Sequence, residues 1–363
     1  MMEIIAYAAF AYLALQLLVV LVNLLSGQYL KKGEPAQNPI VSILIPARNE
    51  ENNIGKLLDD LSRLDYINYE ILVYDDDSTD QTASIVREKS LNNNSILYIH
   101  GTSLLPGWLG KNHACHQLAR QARGDYLLFL DADVRVIPGL LTDSLAYMKK
   151  HDLDLLSLFP VQKMKTWGEW FTVPLMNRIL LGNLPLMLIR LIRLPGFAAA
   201  NGQFMLFKAE TYKKHWFHRK VSDERVEDIQ IMRLVKSLHY RGQTLLSGGQ
   251  VSCRMYKGFG ESISGFSKNI HAFFGKNWLI LLFYIFLTTI GPFAVWAAFS
   301  LKSSIIYIAA MIMFRILVSV QSRQAWWINI MLMPLQQVSL IIISAMAAYR
   351  QATDRIFWKG RRV

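Results

Sequence analysis

Two carboxylates stand two residues apart at the end of an apolar run, where Tyr126-Leu127-Leu128-Phe129-Leu130 is followed by Asp131-Ala132-Asp133. Such a run reads as a buried strand, and two acids just past it can turn toward one cation. Carboxylate oxygens suit hard ions such as Mg2+ or Mn2+, which commonly bridge a few carboxylates to substrate phosphates. A second acidic group, Asp75-Asp76-Asp77-Ser78-Thr79-Asp80, directly follows the apolar run 69–74. One of these residues can cap the next helix. Another can accept hydrogen bonds from a base or ribose, as acids at strand ends do in dinucleotide folds. Lys111 opens a helical pattern after Gly107-Trp108-Leu109-Gly110, and its ammonium adds to backbone N–H groups that already favour an anion such as a diphosphate. Glu227-Asp228 begins the helical pattern that continues through 229–238. Acids in a first turn serve the helix dipole, or one of them serves as a general base.

These groups need a scaffold that brings them to one edge. Strands are expected over 40–46, 69–74, 96–100 and 126–130, and helices over 50–64, 79–89 and 111–122. Strands alternating with helices predict a mostly parallel sheet covered on both faces. Ligands of such sheets bind at the carboxyl ends of the strands. The polar clusters at 46–50, 75–77 and 131–133 fall at those ends.

The remainder of the chain is membrane-like. Its 363 residues are 52% hydrophobic yet carry net charge +12, which suits a membrane protein with a basic cytoplasmic face. The basic residues are scattered and gather beside apolar segments, which argues against a nucleic-acid partner. Cys115 and Cys253 suggest neither a disulfide framework nor a zinc site. Residues 4–25 match the ~20 residues of a bilayer span. Glu3 in place of a basic start favours an uncleaved anchor over a signal peptide. Lys31 and Lys32 then put the N-terminus outside and the next domain in the cytoplasm.

Segment 170–194 is apolar but contains Arg178, Arg190 and Arg193, and reads as one or two interfacial helices or as core helices. Later, 278–299 reads as a span, 305–320 is shorter and holds Arg315, and 326–349 holds Pro334, Gln336 and Gln337. Three late crossings would put the tail outside, whereas Arg350, Arg355, Lys359, Arg361 and Arg362 favour the inside. The expected organisation is an anchor at 1–30, a short linker with Pro35, a cytoplasmic catalytic domain at 38–272, a C-terminal transmembrane region at 273–350 and a basic tail at 351–363.

Over about residues 38–275 the chain resembles family-2 glycosyltransferases of the GT-A fold. The resemblance rests on Ser42-Ile43-Leu44-Ile45-Pro46-Ala47-Arg48-Asn49-Glu50, the 75–80 acidic group, Asp131-Ala132-Asp133 and Glu227-Asp228, in that order. It implies an inverting transferase with a Rossmann-like sheet, a nucleotide-activated sugar and Mg2+ or Mn2+. By position, Pro46, Arg48 and Glu50 would line the nucleotide pocket and Asp76 would contact the nucleoside. Asp131 and Asp133 would hold the sugar-nucleotide and the metal, and Asp228 would be the base. Two departures stand out. Asp77 occupies a position where the family usually has Gly or Asn, and the Gln-x-x-Arg-Trp motif of polymerising members is missing.

Gly107-Trp108-Leu109-Gly110-Lys111-Asn112, Asn201-Gly202-Gln203-Phe204-Met205, Arg254-Met255-Tyr256 and Trp358-Lys359-Gly360-Arg361-Arg362 are similar to the membrane branch associated with hopanoid and carotenoid glycosylation. The expected reaction is transfer of one sugar, with a UDP-sugar as donor, to a terpenoid-like lipid at the inner face of the cell membrane. Lys111 or Arg254 would assist the leaving diphosphate. The competing readings are transfer to a polyprenyl phosphate and an inactive scaffold that retains the fold.

Overall fold

The computed structural model describes residues 1–34 and 38–353, with the backbone alone of 357–358 and 361–362. Pro35 of the linker and the side chains of Arg355, Lys359, Arg361 and Arg362 lie outside the described residues, as does the rest of the Trp358–Arg362 motif. The chain divides into two compact units. One gathers Met1–Gly27, Gln162–Leu186 and Met255–Ile356; the other gathers Gln28–Val161, Met187–Arg254 and Phe357–Val363.

The second unit is α/β. Its strands are β1 (Val41–Ala47), β2 (Tyr69–Asp75), β3 (Ile96–His100), β4 (Tyr126–Leu130), β5 (Val134–Val136), β6 (Leu155–Phe159), β7 (Val161–Gln162), β8 (Phe204–Lys208), β9 (Gly242–Leu246) and β10 (Val251–Cys253). Seven form one sheet in the order β3-β2-β1-β4-β8-β6-β9. β1 runs parallel to β2 and to β4, with Ala47 beside Asp75 and Leu44 beside Phe129. The residues following β1, β2 and β4 therefore leave the sheet at one edge. The strand centres are apolar and closed to solvent, Ile43, Leu44, Leu128 and Val73 among them. Pro46 lies beyond the last β1–β4 pair, so its missing N–H costs that side of the ladder nothing.

β8 runs antiparallel to β4, with Phe204 opposite Leu130. That reversal brings residues 201–203 to the edge where Asp131 emerges. β10 pairs antiparallel with β5, Cys253 opposite Val134. One step further along each strand, Arg254 comes across from Asp133.

The sequence predicts a helix over 50–64, and the structure has Ile54–Leu61. The reason is local. Asn49 is left-handed at φ 53°, Asn49 N donates to Ser78 Oγ at 3.0 Å, and Glu50 N donates to Thr82 Oγ1 at 2.7 Å. These donors are satisfied by the neighbouring loop instead of by a helical turn.

In the other unit, three helices among the described residues are long and apolar enough to cross a membrane: Met2–Leu25, Trp278–Ala298 and Leu301–Gln321. Gln16 and Asn23, which interrupt the first of them, are buried. Asn23 Nδ2 donates to Leu181 O at 3.1 Å and Leu184 O at 3.0 Å, while Asn23 Oδ1 accepts from Leu186 N at 2.7 Å. This amide satisfies the end of the helix Pro174–Asn183, a role that explains a polar residue at bilayer depth. Segment 326–349 is broken into Trp326–Met331 and Met333–Thr353. The second of these starts just before Pro334, where a missing N–H is harmless.

Candidate active site

The loops after β1 and β2 are laced together. Arg48 Nη1 donates to the carbonyl of Asp76 and, at 3.1 Å, to that of Asp77, and it lies 3.9 Å from both carboxylates. Thr79 N donates to Asn49 Oδ1 at 2.9 Å. Asp75 serves the loop itself, accepting from Ser78 N at 3.1 Å and Tyr98 Oη at 3.1 Å. Asp76 is buried, and its N–H donates to Ala47 O at 2.8 Å. Asp77 sits at φ 56° with its side chain turned to solvent. A left-handed site accepts Gly, Asn or Asp, so Asp77 keeps the backbone that Gly or Asn would give and adds only an exposed charge.

The second half of the site is built around Lys111, the second residue of the helix Gly110–Gln121. Its Nζ lies 2.8 Å from Asp131 Oδ1 and 3.0 Å from Glu227 Oε1. The start of this helix is fixed by Asn112, whose Nδ2 donates to Val221 O at 2.7 Å, Ser222 O at 3.2 Å and Glu224 O at 3.0 Å. Asp228, at the start of the helix Glu227–Ser237, accepts from Ile229 N at 2.7 Å and from Gly202 N at 2.9 Å. The next residue, Gln203, accepts from Asp131 N at 3.3 Å through its carbonyl. Its side-chain Nε2 is 3.5 Å from Asp133 Oδ1 and donates to Cys253 Sγ at 2.8 Å. The dipeptide Gly202-Gln203 thus joins the paired carboxylates to Asp228. A side chain at 202 would crowd this junction, since a Cβ there would stand 3.0 Å from both Glu227 Oε1 and Lys111 Nζ.

Electrostatics follow from this packing. Burial alone would pull the Lys111 ammonium down, but Asp131 and Glu227 outweigh it and hold Lys111 well above the ordinary lysine value. Burial, then the neighbouring Glu227, lifts Asp228 to about 7. Burial, then Asp131 and Glu50, lifts Asp133 to about 7.

Residues 42–225, half of the chain, match glycosyl transferase family 2. The chain belongs to this family. A 4,4'-diaponeurosporenoate glycosyltransferase of Staphylococcus haemolyticus (strain JCSC1435) is 28% identical over 250 residues, 68% of this chain and 64% of that relative. Its namesake from Staphylococcus aureus (strain USA300) is 33% identical over 134 residues, 36% of this chain and 34% of that relative. The chain therefore spans less than two thirds of the length of these curated relatives. The mannosyltransferase PcManGT from Pyrobaculum calidifontis, solved with GDP-Man and Mn2+, superposes with TM-score 0.60 at 20% identity, covering 98% of this chain and 100% of that one. That likeness shows the fold, GT-A.

The donor set of this family-2 chain fits a divalent ion. Asp131 and Asp133 offer hard oxygen ligands at one strand end, and Glu50 adds negative potential beside the half-buried Asp133. Among the described residues no set of three or more His, Cys, Asp or Glu gathers around a common point. An ion held by this pair would complete its shell with phosphate and water oxygens. His113 and His218 are buried in the fold; His218 Nδ1 meets Tyr212 Oη at 2.7 Å. Cys115 and Cys253 are free and buried.

The structure places Asp131, Asp133, Lys111 and Asp228 in one linked cluster, with Arg48 and Asp76 on the adjoining loops and Pro46 near the end of β1. Glu50 acts on both sides: Asn53 Nδ2 donates to its Oε2 at 2.7 Å, and its charge reaches Asp133. Arg254 follows β10 and comes across from Asp133 by strand register. Sequence reasoning passed over Gln203, Asn112 and the pairing of Glu227 with Lys111. The only sequence signal for Gln203 was its place in the Asn201–Met205 motif.

Proposed function

We propose that this chain is a membrane-bound inverting glycosyltransferase that moves one sugar from a nucleoside-diphosphate sugar to a terpenoid-like lipid. The observation that carries the reading is the junction at Gly202-Gln203, which holds the paired Asp131 and Asp133 next to a half-buried Asp228. Family membership supplies the reaction class. The names of the staphylococcal relatives favour a carotenoid-type acceptor, and the GDP-Man and Mn2+ of the archaeal neighbour favour a nucleotide sugar and a divalent ion.

In this reading Arg48 and Asp76 receive the nucleoside. The diphosphate lies beside Lys111 and Arg254, whose positive charges favour its departure. Asp131 and Asp133 would hold Mg2+ or Mn2+, which would supply further positive charge to the leaving group. Asp228 takes the acceptor proton as the acceptor oxygen attacks the anomeric carbon. The bond from that carbon to the phosphate oxygen breaks, and the nucleoside diphosphate leaves with the bonding pair. The donor base is proposed to be uracil.

The three helices fit a topology of one crossing before the catalytic unit and two after it. Lys31 and Lys32 place the catalytic unit inside. Two later crossings then return the basic C-terminus to the cytoplasmic side of the inner membrane, so the positive-inside rule holds at both ends. Nucleotide release from a panel of donors in detergent with native lipid extract, followed by mass spectrometry of the lipid, tests the proposal. Donor turnover that ignores added lipid would remove the lipid acceptor.

A further inference from the structure

The helical unit holds two buried arginines that glycosyl transfer does not use. Arg178 lies on the helix Pro174–Asn183 and is 3% exposed; Arg315 lies on Leu301–Gln321 and is 8% exposed. Their hydrogen-bond partners are neutral. Arg178 Nε donates to Tyr284 Oη at 3.0 Å, and both its Nη atoms donate to Gln337 Oε1 at 3.0 Å. Arg315 Nη1 donates to Gln336 Oε1 at 2.8 Å. Gln336 and Gln337 are adjacent, so the two guanidiniums converge on one helical turn.

Each glutamine is held with its carbonyl toward an arginine. Gln336 Nε2 donates to Trp170 O at 3.0 Å and Asn329 Oδ1 at 3.0 Å, and Gln337 Nε2 donates to Thr288 Oγ1 at 3.0 Å and Thr289 Oγ1 at 2.8 Å. Among the described residues neither arginine forms an ion pair. Among the described residues the carboxylates of this unit serve other positions. Glu169 closes the cap of its own helix with Thr166, Glu261 accepts from Lys257 N at 2.8 Å, and Glu3 lies in the first turn of Met2–Leu25.

Two like charges in an acid-poor helical unit are costly unless an opposite charge joins them. Ionisable groups at bilayer depth mark ligand or ion sites. A guanidinium has five donors in a planar fork that matches carboxylate and phosphate, and Arg315 commits one of them, to Gln336. We propose that Arg178 and Arg315 together bind one oxyanion, a carboxylate or a phosphate, within the helical unit.

The test uses the full chain purified in a neutral detergent, with dodecyl phosphate, dodecanol and inorganic phosphate as probes and native mass spectrometry as the readout. Dodecyl phosphate should bind as one equivalent, at least tenfold tighter than dodecanol. The double variant Arg178→Gln/Arg315→Gln should lose that preference, and Arg178→Lys/Arg315→Lys should keep most of it. Circular dichroism checks folding; if the double glutamine variant does not fold, Arg315→Gln alone should show the loss. Arginine-dependent binding of inorganic phosphate assigns a water-borne anion, and binding of dodecyl phosphate alone assigns an amphiphile. Wild-type protein with no preference for either anion overturns the site, as does a preference that survives the glutamine substitutions.

Discussion

Lys111 ties Asp131, at the end of β4, to Glu227, at the start of a helix 116 positions further along the chain, through contacts of 2.8 and 3.0 Å. One ammonium thereby links Asp131 to the residue beside Asp228, the proposed base, and its charge also acts on Asp228. The base works ionised, so activity should rise with pH through about 7, the value to which burial and Glu227 lift Asp228. Lys111 pulls that value down and Glu227 pushes it up. Lys111→Met should therefore move the acidic limb of the kcat/KM profile to higher pH, and Glu227→Gln should move it lower. Profiles from the three proteins check the pair of opposite shifts.

Asp228→Asn should lower transfer by about 10²- to 10⁴-fold, the range of general-base catalysis. Nucleotide-sugar binding, read by calorimetry, should be preserved. A markedly smaller loss would indicate an acceptor that is already ionised, a carboxylate or phosphate that needs no base.

Chelation by EDTA should abolish transfer, and adding back Mg2+ or Mn2+ should restore it. Asp133→Asn should weaken Mn2+ affinity at least about tenfold, measured by calorimetry with nucleotide present. Equal Mn2+ affinity in wild type and variant would take Asp133 out of the metal site.

Two glycines separate stability from catalysis. A Cβ at Gly101 would meet Asp75 O at 2.4 Å, a backbone atom that cannot step aside. Gly101→Ala should cost about 1–3 kcal/mol of stability, as overpacking does. At Gly202 the obstructing atoms are the ends of Glu227 and Lys111, so Gly202→Ala should keep its melting temperature within a few degrees while losing kcat. Thermal denaturation and initial rates, measured on both variants, distinguish the two.

Much of the α/β sheet was legible because its signals are local. Strands expected at 96–100 and 126–130 are β3 and β4 with the same bounds; that at 40–46 is shifted by one residue from β1, and that at 69–74 is one residue shorter than β2. Helix starts were less legible. Residues 50–53 carry a helical pattern, but the N–H groups of Glu50 and Glu51 meet the side chains of Thr82 and Asp80. The antiparallel entry of β8 beside β4 is a pairing between distant segments, with no periodic trace in either. The same holds for the site: Asp131 and Asp133 could be seen as a pair, while the bridge from Lys111 to Glu227 and the place of Gln203 exist only after folding. In the sequence Gln336 only interrupts the apolar segment 326–349; in the structure it is the buried partner of Arg315.

The central claim is single, inverting transfer to a lipid, and the most direct measurement is the structure of the product. Wild-type protein in detergent, given an α-linked nucleotide sugar, Mn2+ and a terpenoid lipid extract, should yield a lipid heavier by one hexose. Its anomeric proton should show the β configuration by NMR, and Asp228→Asn should form this product at least about 100-fold more slowly. A product carrying an α-linked sugar, or a ladder of several hexoses on one lipid, would contradict the account.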